Sequence, residues 1–232
     1  MILIITCTIV ATALVVYVMN FRDDVSNVTI EEMELSYNTN IYAQDSSGEW
    51  VNIYEVTNES QRIPVNIDEI PQHTRDAFVC AEDERFYTHD GVDYKRTVSA
   101  FVNMFVHIYD TNQGGSTITQ QLIKNLTKQD DITVQRKLLE IFQALEFEKS
   151  YDKEEIMEWY LNIVYFGEGC NGVYTAAETY FGKEPKDLTL AECASIIGIT
   201  NNPSKYDPFI SRENNKARQE TILKQMYEQG YI

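Results

Sequence analysis

The sequence predicts a mainly α-helical domain, with a small β element near its N-terminal end and a membrane-spanning helix in front of that. Three observations point there. Residues 2–19 carry no charge, residues 39–56 hold two short β-favouring runs around a turn, and from Ile70 onward the apolar residues recur at helical spacing.

The apolar run "ILIITCTIVATALVVYVM" is long enough to cross a bilayer. A cleaved signal peptide is the alternative. It would need a basic leader before the run and a small-x-small site after it, and neither is present. A retained anchor over residues 1–20 is therefore expected. Its orientation is not legible, because no Lys or Arg precedes the run and Arg22 follows it.

Residues 21–61 read as a linker and a short β-hairpin. The stretch 20–38 is acidic and polar, and "TNIYAQDSSGEWVNIYEV" (39–56) places two strands around a DSSG turn. Residues 62–232 read as one globular domain of helices. The first of these is expected to run through "AFVCAEDERFY" and end near Tyr87. Thr117 with Gln120, and Thr189 with Glu192, are capping-box pairs that mark two helix starts. "TVQRKLLEIFQALEFEK" carries Val134, Leu138, Ile141, Phe142 and Leu145 on one stripe, and "EEIMEWYLNIVYF" is a second amphipathic helix. Glycines at 167, 169 and 172 break that pattern before a helix resumes in "VYTAAETYF". "NNPSKYDP" reads as a loop, and residues 212–229 as a final polar helix.

The chain's 232 residues suffice for one sizeable core with an appendage. Its formal net charge of −17 argues against nucleic-acid binding, which needs a basic footprint, and against a broad electrostatic grip on anionic lipid. Any anionic ligand must then be held by a local cationic cluster. Cys7 lies in the apolar run. Cys80, Cys170 and Cys193 show no paired spacing and read as small buried residues. With His only at 73, 89 and 107, no Cys/His metal pattern exists.

Three stretches could carry chemistry. On a helix through Tyr87, Val79, Glu82 and Phe86 share one face, with Asp83 and Glu84 pointing elsewhere. Glu82 is then a carboxylate among apolar residues. Desolvation raises the pKa of such a group and suits it to proton transfer, whereas a boundary Glu reaching into water would need no such role. In "QGGSTITQQLIKN" (113–125), two glycines precede a helix capped by Ser116 or Thr117, with Lys124 one turn from Gln120. Free N–H groups at a helix start bind anions, yet the same pattern also serves as structural punctuation. In "RKLLE", Arg136 and Lys137 lie one turn from Glu140. That is either an ion pair on a solvated face or a phosphate clamp with an acid beside it.

Together the three stretches supply a base, a cationic anion site and a second carboxylate, which is a kit for glycosyl transfer from a pyrophosphate donor. Here the sequence resembles the peptidoglycan glycosyltransferases of class A penicillin-binding proteins and of monofunctional transglycosylases. The likeness runs from about residue 62 to 229, through "AEDERFYTHDGVD", "GGSTITQQLIKN", "RKLLE", "EEIMEWYLNIVYFG" and "AAETYFGK" in that order.

The resemblance implies a lysozyme-like helical fold of two lobes with a cleft between them. The smaller lobe would dip into the membrane through "TVSAFVNMFVHIY" (97–109), a stretch that would equally serve as a core helix. It implies polymerisation of lipid II on the outer face of the bacterial cytoplasmic membrane, by a single-pass protein with an extracytoplasmic catalytic domain. The partners would be lipid II, the growing glycan strand, the membrane and a cell-wall synthesis complex, with no nucleic acid.

Carried over by motif, Glu82 is the general base and Glu140 assists at the donor side. Lys124, Arg136 and Lys137 bind the pyrophosphate, and Ser116 and Gln121 line the donor site. Asp83 contacts substrate or a divalent cation such as Mg or Mn, with no other cofactor implied. His89 holds the "THDG" turn. The lead-in at 39–56 and "RIPVNIDEIP" resembles class A proteins more than the monofunctional type, so the N-terminal part of a class A protein is expected. The transpeptidase signature is not complete: Ser150 with Lys153 and Ser36 with Asn38 fit its first two parts, but K-T-G is absent, and no penicillin-binding activity is expected. A glycan-cleaving hydrolase on the same fold is the first rival reading. It would need no pyrophosphate clamp. An inactive membrane-anchored scaffold is the second.

Overall fold

A computed structural model of the chain describes residues 39–56, 62–99, 115–128, 131 and 133–232, with residues 8, 12 and 16 as isolated positions. The expected anchor over residues 1–20 and the linker at 20–38 therefore lie almost wholly outside the described residues. So does most of 97–109, of which only 97–99 are described, and these are helical. Among the described residues no helix is long and apolar enough to cross a membrane. The rest is mainly helical with one two-stranded sheet, as the sequence predicts.

The sheet pairs β1 (Thr39–Gln44) with β2 (Trp50–Val56) in antiparallel register, with one irregularity between Ile41 and Tyr42. Its turn is built by Asp45, whose Oδ1 accepts from the Ser47 and Glu49 amides and from the Ser47 hydroxyl. Gly48 takes φ +85°, a conformation that most side chains resist.

The described residues fall into two units. One comprises Glu34–Phe86 with Lys153–Ile232. Its core is made by α1 (Gln72–Glu82), α4 (Lys153–Ile163), α5 (Val173–Phe181), α6 (Leu190–Asn201) and α8 (Arg212–Glu228). The α6 segment buries Cys193 through Ile199 without a break. A helix apolar on all sides must lie between others, and α1 and α8 both pack on it. In contrast, α8 buries only Asn215, Ile222 and Met226, so it serves as an outer cover. Phe78 of α1 meets Tyr160 and Phe166 edge-on at centroid distances of 5.8 and 6.1 Å. The buried Asn162 clasps the lead-in: its Oδ1 accepts from the Val65 amide and its Nδ2 donates to the Val65 carbonyl, each at 2.8 Å. One turn earlier, Glu158 accepts from the Ile67 amide.

The other unit contains Tyr87–Asp152. Here α2 (Ile118–Thr127) packs on α3 (Val134–Phe147). Thr117 and Thr133 cap the two helices by accepting from Gln120 N and Arg136 N. The Thr117 hydroxyl also donates to the Gly91 carbonyl at 2.6 Å, which fixes the "THDG" turn. At φ +81° Gly91 lies so close to α3 that a Cβ there would stand 2.5 Å from the Ala144 oxygen.

Both expected capping boxes, at Thr117/Gln120 and Thr189/Glu192, are formed. Cys80, Cys170 and Cys193 are free and buried, as expected. Two expectations are corrected. The first helix does not reach Tyr87: it stops at Glu82, Asp83 leaves the helix at φ −157°, and Phe86–Thr88 form a separate 3-10 turn. The reason is Asp83, which is fully buried and gives up helical geometry while its carbonyl closes the turn onto the Phe86 amide. Asp83 thus points inward, and only Glu84 faces solvent. The second correction is "NNPSKYDP", which contains a one-turn helix, α7 (Pro203–Tyr206), begun by the favourable φ of a proline at its first position.

Candidate active site

In the unit of Glu34–Phe86 and Lys153–Ile232, the candidate residues are Glu82 and Asp83. Glu82 is the last residue of α1 and is buried at 8% exposure. The helix break that follows places its carboxylate at a helix end, not in the middle of an apolar stripe. The Thr200 hydroxyl, from the last turn of α6, lies 3.2 Å from Glu82 Oε1. Tyr160 is fully buried, and its phenol is pushed well above the usual range, first by burial and then by the nearby charges of Glu82 and Asp83. Tyr160 therefore stays protonated and remains an O–H donor.

In the unit containing Tyr87–Asp152, α3 gathers the expected cationic cluster. Glu140 is 4% exposed. Arg136 Nη1 donates to its Oε2 at 2.7 Å, and Lys137 Nζ donates to its Oε1. Lys137 also donates to Ser116 Oγ at 2.7 Å, so the loop before α2 is tied to α3. A lysine has three N–H donors, and these contacts use two. The ion-pair and clamp readings are thus not equivalent: a carboxylate this buried between two cations is not a solvated pair. Among the sequence-predicted residues, Ser116, Arg136, Lys137 and Glu140 are brought together. Gln121 and Lys124 lie on α2, half-buried and exposed, respectively. Gln120, by contrast, is fully buried, with its Oε1 accepting from the Thr117 amide.

Sequence reasoning missed Thr200 and Tyr160. Nothing in "GITNN" marks Thr200. Tyr160 stands in an amphipathic pattern where an aromatic reads as core. Among the described residues no group of three or more His, Cys, Asp or Glu side chains is placed to hold a metal ion.

Comparison with known proteins matches residues 49–227 to the family model described as Transglycosylase. Penicillin-binding protein 1F of Bacillus subtilis is 41% identical over 203 residues, covering 88% of this chain and 28% of that protein. Penicillin-binding protein 1A of Escherichia coli is 40% identical over 206 residues, covering 88% of this chain and 23% of its own. The crystal structure of penicillin-binding protein 1A from Haemophilus influenzae is 25% identical, with a TM-score of 0.46, covering 85% of this chain and 19% of that one. The chain thus spans about a quarter of the length of the curated relatives it matches. A family match over most of the chain, joined to relatives this similar along nearly all of it, makes the chain a member of the transglycosylase family.

Proposed function

We propose that this chain is a peptidoglycan glycosyltransferase that polymerises lipid II into β-1,4-linked glycan strands for bacterial cell-wall synthesis. The single observation that carries the reading is the cluster on α3, where a buried Glu140 orders Arg136 and Lys137 and Lys137 reaches Ser116. In a chain of net charge −17, that is an ordered cationic site of the kind a pyrophosphate needs.

In this reading Glu82 removes the proton from the 4-hydroxyl of the acceptor's N-acetylglucosamine. The freed oxygen pair forms a bond to the donor's anomeric carbon from the face opposite the leaving group. The bond from that carbon to the pyrophosphate oxygen breaks, and undecaprenyl pyrophosphate departs with the electron pair. Arg136 and Lys137 stabilise the negative charge that develops there, as preorganised cations do. Glu140 keeps both cations oriented. Lys124 and Gln121 extend the donor site along α2, and Asp83 stands fully buried beside the base. The protein acts at the bacterial cell membrane, with residues 1–20 as its anchor and the catalytic domain outside the cytoplasm, within a cell-wall synthesis complex.

The test is polymerisation of labelled lipid II by the full chain in detergent, beside Glu82→Gln. The expected outcome is long glycan from the wild type and a loss of at least about a hundredfold in the variant, the lower bound for a general base. Shortening of preformed glycan would establish a hydrolase instead. No activity from a folded wild type would leave a scaffold.

A further inference from the structure

We propose that Thr200 is a positioning residue for Glu82, holding the carboxylate ready to take the acceptor's proton; this rests on the reading of Glu82 as the base. Glu82 ends its own helix, α1, and its Oε1 lies beside the last turn of α6. A helix C-terminus carries partial negative charge from unpaired carbonyls, so two such ends meet a carboxylate here. A donor placed here steadies the ionised carboxylate. Thr200 supplies one from a rigid place: its helix is buried from Cys193 through Ile199, and Thr200 itself is half-buried.

The Thr200 oxygen has two acceptors in reach, Glu82 Oε1 at 3.2 Å and the Ile197 carbonyl at 2.8 Å. A hydroxyl carries one proton and can donate to only one of them at a time. That sets up an alternation. While Glu82 is ionised, the hydroxyl turns toward Oε1 and fixes the side-chain rotamer for the incoming proton. Once Glu82 has accepted that proton, the hydroxyl returns to the Ile197 carbonyl and loses nothing. The donor is thus strongest in the state that must wait for substrate, and no covalent change in Thr200 is required.

The experiment uses the full chain with labelled lipid II and compares the wild type, Thr200→Val and Thr200→Ser. Valine keeps the branched shape and removes the hydroxyl, and serine restores the hydroxyl on a smaller side chain. The expected result is a fall of roughly tenfold in kcat for Thr200→Val, as for loss of one hydrogen bond to a charged group, with KM within about twofold of wild type and an unchanged melting temperature. Thr200→Ser should recover most of kcat. A Thr200→Val enzyme with wild-type kcat would overturn the proposal. So would a Thr200→Ser enzyme as slow as the valine variant, because the effect would then follow packing. A wild type without polymerase activity would overturn the reading of Glu82 and this assignment with it.

Discussion

Glu140 shows how far a single residue can be read before a structure is known. The i, i+3 and i, i+4 spacing of "RKLLE" places two cations beside one carboxylate, and α3 realises it. Spacing could not tell a surface pair from a buried one. Burial is set by what α2 and the loop before it lay over α3, and that information lies some twenty positions away in sequence. Lys137 is the sharper test of the cluster. Lys137→Met keeps the length and apolar stem while removing the charge, and it is expected to raise KM for lipid II by about tenfold or more, with the fold intact by circular dichroism. An unchanged KM would remove Lys137 from the donor site. Thr200 was not legible at this scale, because its meaning comes from a contact 118 positions away.

The elements divide in the same way. Hairpin and caps were legible because their determinants are local: a DSSG turn, a Thr with a Gln or Glu three residues on, a stripe of apolar positions. The end of α1 was not, since Asp83 leaves the helix to be buried, and burial is a tertiary event. The "THDG" turn is a further case. A glycine there looks like ordinary turn chemistry, but its backbone is pressed against α3 and clasped by Thr117. Gly91→Ala is accordingly expected to destabilise the protein by more than about 2 kcal/mol, since it adds a backbone clash to a left-handed conformation. Urea unfolding would check this, and a midpoint equal to wild type would show that the turn can move aside.

For the whole molecule, composition and the order of motifs carried most of the reading. A mainly helical architecture followed from periodicity, and the family followed from motifs in sequence order. Two lobes were implied by the resemblance alone; which segments form each unit was not legible, because one unit is drawn from chain segments on both sides of Tyr87–Asp152. Its buried acids set a stability limit. Burial lifts the Cys80 thiol from 9.0 to about 12 and the Cys193 thiol to about 11, and raises Cys170, Tyr160 and Tyr180 as well. These groups keep their protons when folded at a pH where the unfolded chain releases them. Their contribution is whole below about pH 9 and declines as pH rises through the folded values. Denaturation midpoints measured from about pH 7 to 11 should therefore hold and then fall, and a flat profile would count against this account. The charge distribution has a different consequence. Because Glu140 offsets one of its two neighbouring cations, the cluster on α3 carries a single net positive charge within a strongly anionic chain. Soluble polyanions are repelled at long range before they can reach so modest an attraction. A donor that is held at the membrane arrives by lateral diffusion and meets that barrier at close quarters only. Under the proposed function, selectivity for a lipid-borne pyrophosphate is then partly a matter of exclusion, and it should weaken as salt screens the repulsion.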